Sequence, residues 1–472
     1  MPMRPLLLSC ALAILAAPAG AQQDLPVIRS NARAITIRDG AELRVNGWTL
    51  SPETRPDVYE ALLPLGVPHR VTFITDVDSI GFMVEPDARY DFNVRYRDSL
   101  AWTRIVGVRL MPAAVFDSAF RAAHAGKTRV ELPEVYELVS VALALTPTAR
   151  STPGLVHTGS PYHAEVLRWF DRYAGHPAIA LLDSALKANP RAWPSLKMNA
   201  YAFAFDARGR IVPGGVYDRL GPAAERTNPL LPFLEPLQRF ADASDFRRFY
   251  RRHRAVYEAQ GAFFRDTAGV EQARAWLARG FAPREPFQLL TLVVSPLTGD
   301  SVSVATPQDG GFAELQPHYG FPYAEKFQGE ELRGLPGETV ALYRRNAAIA
   351  RMQRAWFLGE ASKYADRILW GVSNRKHWVD PGRGADYYPG TSAFSEYLTW
   401  ALVALRLSEA APEPERARAV ESVERLMVAR GFPRYPAFSR FVVPLYRDRR
   451  AGETVAGLFP AIVAWFEDNN GW

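Results

Sequence analysis

The sequence predicts an α+β protein, with a small β sandwich or barrel followed by a mostly helical domain that contains a small sheet. Three observations carry this. Residues 30 to 110 alternate apolar and polar side chains between turn residues, as half-buried strands do. From about residue 133 the apolar period changes to that of helices. Within the helical part, FQLLTLVVSPL (287–297) and SVSVATP (301–307) are short β-branched runs joined at Thr298-Gly299-Asp300, the pattern of a hairpin or small sheet.

The strand signals in the first part are AITI (34–37), RVTFITD (70–76), IGFMVE (80–85), YDFNVRY (90–96) and WTRIVGV (102–108). Asp39-Gly40, Asp78-Ser79 and Pro86-Asp87 punctuate them, and the spacing suits about seven strands. PEVYELVSVALAL (133–145) opens on proline and glutamate and then turns almost wholly apolar, the pattern of a buried helix. Amphipathic helices are expected at 162–175 and 176–189, with a turn at Gly175-His176-Pro177, and then at 229–241 and 244–279. A Gly/Pro-rich loop is expected over 310–337 and one long helix from about 338 to 370. Helices at 392–409, 415–430, 436–447 and 453–468 complete the chain. The expected organisation is a signal peptide at 1–21, a β-rich domain at 22–115, a linker at 116–132 and a helical domain at 133–472.

The first residues read as an export signal. Met1–Arg4 gives a positive start, LLLSCALAILAA an apolar core, and Ala19-Gly20-Ala21 a small-residue cleavage site before Gln22. The only cysteine, Cys10, lies in that segment, so a chain cleaved after Ala21 has no disulfide or thiol chemistry. No later stretch is apolar for long enough to span a membrane, so the expected location is periplasmic or extracellular. Net charge is only +6 in 472 residues, and 50 of the 56 basic residues are arginine, mixed with acids. The densest basic run, Arg247 to Arg254, alternates with Phe246, Phe249 and Tyr250 and reads as a solvated helix face, not a nucleic-acid surface.

Chemistry-bearing residues are sparse. Asp76, Asp78 and Asp91 offer oxygen ligands for a divalent cation, although turn aspartates commonly cap local backbone groups. None of the eight histidines stands four residues from another, as a helical zinc site requires. In QRAWFLGEASKYADRILW (353–370), Glu360 stands where such a helix carries its general base, while Gly359 and Lys363 stand where it carries histidines. In TSAFSEYLTWALVAL (391–405), Glu396 is a lone carboxylate in an apolar helix. It needs a cation, a metal or several donors to satisfy it. Local readings are also open: Glu360 with Lys363 or Arg367, and Glu396 with Tyr387, Tyr388 or an arginine.

Three stretches, 71–92, 135–182 and 394–402, resemble a family of secreted bacterial proteins of uncharacterised function, frequent in Bacteroidetes. The C-terminal part of that family resembles zincin metallopeptidases. The resemblance implies a zincin-like helical domain, with Glu360 as the former base and Glu396 as the former third metal ligand. Lys363, Tyr364, Tyr387, Tyr388 and His377 would support the cleft. With no histidine on the 353–370 helix, no metal cofactor is expected, and Lys363 is expected to take the place of the cation. Zinc would be implied only if His377 or His318 were displaced ligands.

Three functional readings follow. The first is an exported, metal-free zincin-like protein that binds a peptide or protein in the old cleft. The second is a hydrolase using Glu360 and Glu396 as a carboxylate pair on glycan, which requires the two to lie roughly 5–9.5 Å apart. The third is an envelope interaction module. No nucleic acid and no membrane span are expected among its partners.

Overall fold

A computed structural model describes residues 25–471, apart from 41, 52–54, 65, 111, 190–191, 221–226, 282–286, 300–302, 325–328 and 381–390. The expected signal segment, and Tyr387 and Tyr388, therefore lie outside the described residues. The chain is α+β and divides into two compact units, Met1–Pro112 and Ala113–Trp472.

The first unit is a β sandwich. One sheet has the order β3-β2-β5-β6, formed by β2 (Ala34–Asp39), β3 (Glu42–Thr49), β5 (His69–Ile74) and β6 (Ser79–Val84). The other has the order β1-β7-β8-β4, formed by β1 (Val27–Ser30), β4 (Asp57–Pro64), β7 (Arg89–Tyr96) and β8 (Ser99–Leu110). Alternate residues of both sheets meet in one core. Phe73, fully buried at its centre, makes edge contacts with Trp48, Tyr59 and Phe92. The three aspartates serve the backbone and a cation of the chain itself. Asp76 accepts from Asn31 N, Asp78 from Ser79 N, and Asp91 from Arg104. For Asp76 and Asp78 that is the capping reading; Asp91, within β7, is held by a side-chain ion pair.

The second unit is built round one sheet, ordered β13-β15-β12-β9. Its strands are β9 (Thr128–Glu131), β12 (Leu289–Ser295), β13 (Ser303–Ala305) and β15 (Phe312–Gly320), with β14 (Gln308–Asp309) also paired to β15. β10 (Phe203–Phe205) and β11 (Ile211–Pro213) form a separate small ribbon. Every residue of β12 is buried, as the apolar run 289–295 requires of a central parallel strand. Leu289 and Val293 enter one helical core, while Leu290, Leu292 and Val294 enter the other, so helices cover both faces.

Two sequence expectations need correction here. β12 and β13 are not a hairpin, because β15 lies between them, inside the stretch expected to be loop. Gly310 and Gly311, both at positive φ, turn the chain into β15, and Pro317 made that stretch read as loop. The parallel ladder tolerates the proline because pairing to β12 skips Gln316 and Pro317. The long helix 338–370 is instead four pieces: Gly337–Ala348, Ala350–Gln353, Arg354–Ser362 and Ala365–Gly371. No proline or glycine causes the first break. Ala348, Ile349, Ala350, Met352 and Gln353 are all buried, a wider face than the stripe of one continuous helix.

The stretch 116–132 carries a helix, Ser118–His124, and the edge strand β9, and belongs to the second unit. Helices at Glu134–Ala144, Pro161–Phe170, Pro177–Ala188, Ser392–Ala410, Arg416–Ala429, Tyr435–Arg447 and Phe459–Asp468 fall where the periodicity puts them. His176 caps Pro177–Ala188 by accepting from Ala178 N at 3.2 Å. No helix among the described residues is long and apolar enough to cross a membrane.

Candidate functional site

Glu396 sits in the second turn of Ser392–Ala410, a helix buried along most of its length, and is itself fully buried. Arg351 donates to Oε1, and Arg430 Nη2 donates to Oε2 at 3.0 Å. Arg430 is held in turn over the rings of Trp400 and Phe432. Burial alone pushes this carboxyl up, but Arg351, Arg430 and Arg354 together hold it below the usual glutamate range. A carboxylate with two guanidinium groups in direct contact is electrostatically closed to a dication.

Glu360 lies elsewhere in the ion-pair pattern. Its carboxylate takes Lys363 Nζ at 2.6 Å, three residues along the same chain segment, whereas that of Glu396 takes Arg351 and Arg430. Lys363 is exposed, so the expectation that it replaces a buried cation is corrected: Arg351 and Arg430 fill that role at Glu396. Lys363→Ala should accordingly leave the denaturation midpoint essentially unchanged, since exposed helical pairs contribute little.

Gly359, at the other ligand position, faces open space. Tyr364 stacks on Phe459, and Arg367 pairs with Glu467 and not with Glu360. His377 packs edge-on against Trp378; burial and Arg434 hold its imidazole below the ordinary range. His318 is fully buried in the sheet. Among the described residues, no three His, Cys, Asp or Glu side chains gather as a metal site.

A richer polar arrangement, which sequence reasoning missed, lies on the sheet face under helix Glu134–Ala144. Glu314, Gln316 and His318 alternate along β15 and are all fully buried. Tyr217 donates to Glu314 Oε2 at 2.7 Å, and His318 bridges Tyr136 Oη and Gln316 Oε1 at 3.2 Å each. Burial, assisted by Lys197, holds His318 well below the usual imidazole range, so it is neutral. Lys197, nearly inaccessible, donates to Thr298 Oγ1 at 2.7 Å and lies over the Tyr136 ring. Glu131 on β9 takes hydrogen bonds from Arg129 and from Tyr201. The period-two pattern Glu-x-Gln-x-His in 314–318 was the available signal.

Beside this layer, Glu137 is the one acid in the buried part of its helix and is fully buried. Tyr162 donates to Oε1 at 2.7 Å, and Tyr257 Oη lies 2.8 Å from Tyr162 Oη. Among the described residues Oε2 makes no hydrogen bond of good geometry. Burial pushes the carboxyl up to about 7, against the opposing pull of Tyr162, Ser295 and Lys197.

Tyr257 also lines a crevice of about 480 Å³. Its walls are Val130 and Glu131 at the end of β9, Leu132 and Glu134 just beyond it, Val294 near the end of β12, and Tyr250, Arg251, Arg254, Glu258, Gly261 and Arg265 from the facing helical segments. The crevice therefore opens at the carboxyl ends of two parallel strands, where α/β sheets commonly hold ligands. A larger groove, about 1220 Å³, runs along helices Arg416–Ala429 and Tyr435–Arg447. Its rim charges pair locally, Arg416 with Glu413 and Arg425 with Glu421, and the Glu409 carboxylate on its wall is already taken by Trp276 and Tyr446. The crevice is the stronger candidate.

Comparison of the chain with family models, curated proteins and solved structures found no match.

Proposed function

We propose that this chain is an exported, metal-free zincin-like protein that binds a peptide or protein segment and does not cut it. The observation that carries the reading is Glu396. The residue that the family resemblance makes a metal ligand is buried and neutralised by Arg351 and Arg430. The donors present do not fit zinc, since two cations already occupy that carboxylate and Glu360 is committed to Lys363. The same facts count against a carboxylate pair acting on glycan. An acid held below its usual range in contact with two arginines neither donates a proton near neutrality nor reaches a substrate.

A ligand's place is the open crevice, not the closed Glu396 centre. Its lining mixes apolar Val130, Leu132 and Val294, two tyrosines, and charges of both signs, which suits a peptide better than a polyanion.

The experiment is incubation of the purified mature protein with an unfolded protein and with short random-sequence peptides, with and without added zinc. The reading expects peptides retained on the immobilised protein, no new termini by mass spectrometry, and no uptake of zinc. Time-dependent cleavage that a chelator abolishes would overturn it.

A further inference from the structure

The crevice has a polarity of its own. Arg251 and Arg265 line it, and neither has an acidic partner among the described residues. Its acids are engaged or balanced: Glu131 by Arg129 and Tyr201, Glu134 by Arg247, and Glu258 by Arg254. Arg265 is placed by a π-helical turn, Phe263–Thr267, a local irregularity that recurs at functional sites. Gly261 leaves room for its guanidinium, since a Cβ there would stand 2.8 Å from Nη1. Tyr257 lines the same crevice, and its hydroxyl continues through Tyr162 to Glu137.

We infer that this crevice takes the free carboxylate of a peptide ligand, with Arg251 and Arg265 as counter-charges and Tyr257 as hydroxyl donor at the head of the Tyr257–Tyr162–Glu137 chain. The inference deepens the peptide-binding reading and rests on it.

The chain of hydroxyls makes binding depend on one proton. With Glu137 ionised, Tyr162 donates to it and Tyr257 donates to Tyr162, so Tyr257 turns only lone pairs toward an incoming carboxylate. With Glu137 protonated, every bond reverses: Glu137 donates to Tyr162, Tyr162 to Tyr257, and Tyr257 to the ligand. Burial raises both phenols, so they keep their protons throughout. The groups facing Glu137 are Tyr162, Tyr257 and Tyr250 from neighbouring helices, Tyr136 from its own helix, Ser295 from β12, and Lys197. Of these only Lys197 is charged, and it faces Glu137 without contacting the crevice.

The test is retention, on the immobilised full protein, of short random-sequence peptides ending in a free carboxylate, against the same pool amidated at the C-terminus. The free-acid pool should be enriched about tenfold or more, the effect of a charge-assisted contact. That enrichment should fall as pH rises from about 6 to about 8 in the wild type, and stay flat in Glu137→Gln. Arg251→Gln combined with Arg265→Gln, both exposed and so harmless to folding, should abolish it. Equal retention of acid and amide pools overturns this inference and leaves the peptide reading standing. Retention of neither pool overturns both.

Discussion

Replacing Glu396 by alanine is expected to destabilise the second unit by about 3–5 kcal/mol, the range for removing one member of a buried ion pair. The substitution strips the anion from Arg351 and Arg430, whose guanidinium groups are largely withdrawn from water, and empties a fully buried side-chain volume. Chemical denaturation measures it directly. The pH dependence has a definite sign. The folded carboxyl lies below the ordinary 4.5, so its contribution is fully present above that value and is lost as pH falls through the lower folded one. Glu396→Ala should therefore flatten the acid limb of the stability curve. A cost below about 1 kcal/mol would mean that the two arginines act as surface charges.

Glu137→Gln has the opposite expected sign. Its carboxyl is raised from 4.5 to about 7 in the fold, so ionising it there is unfavourable. The penalty is absent below pH 4.5, grows as pH rises, and is complete above about 7. That interval, at about 1.4 kcal/mol per pH unit, amounts to about 3 kcal/mol in favour of the glutamine variant at alkaline pH. At pH 4 the two proteins should be equally stable. Denaturation midpoints of both across pH give the comparison, and parallel curves would refute the assignment.

How legible all this was depended on the range of the interactions involved. The sandwich strands were readable because alternation is local, and Phe73, Phe92 and Ile105 face the core as their position in the period requires. The buried helix 134–144 was equally plain, and its single internal acid, Glu137, was visible without revealing what it touched. β15 was hidden by Pro317, because the ladder gap that accommodates a proline is a property of the partner strand. The partners of Glu396 lie 45 and 34 residues away in the chain, so the need for a cation could be read but not its source. Lys363, three residues from Glu360, offered a local answer; its exposure follows from the break after Ser362, which no proline or glycine announces. The crevice was not legible at all, since β9, β12 and helices Phe246–Arg252 and Arg254–Ala262 converge on it from separate parts of the chain.

The claim that arginines have taken the place of metal at Glu396 is met most directly by calorimetric titration of the purified protein with zinc, alongside Glu396→Gln. The account expects no saturable heat at about one zinc per chain in either protein, and no rise in melting temperature with zinc. Stoichiometric zinc binding by the wild type, lost in Glu396→Gln, would contradict it.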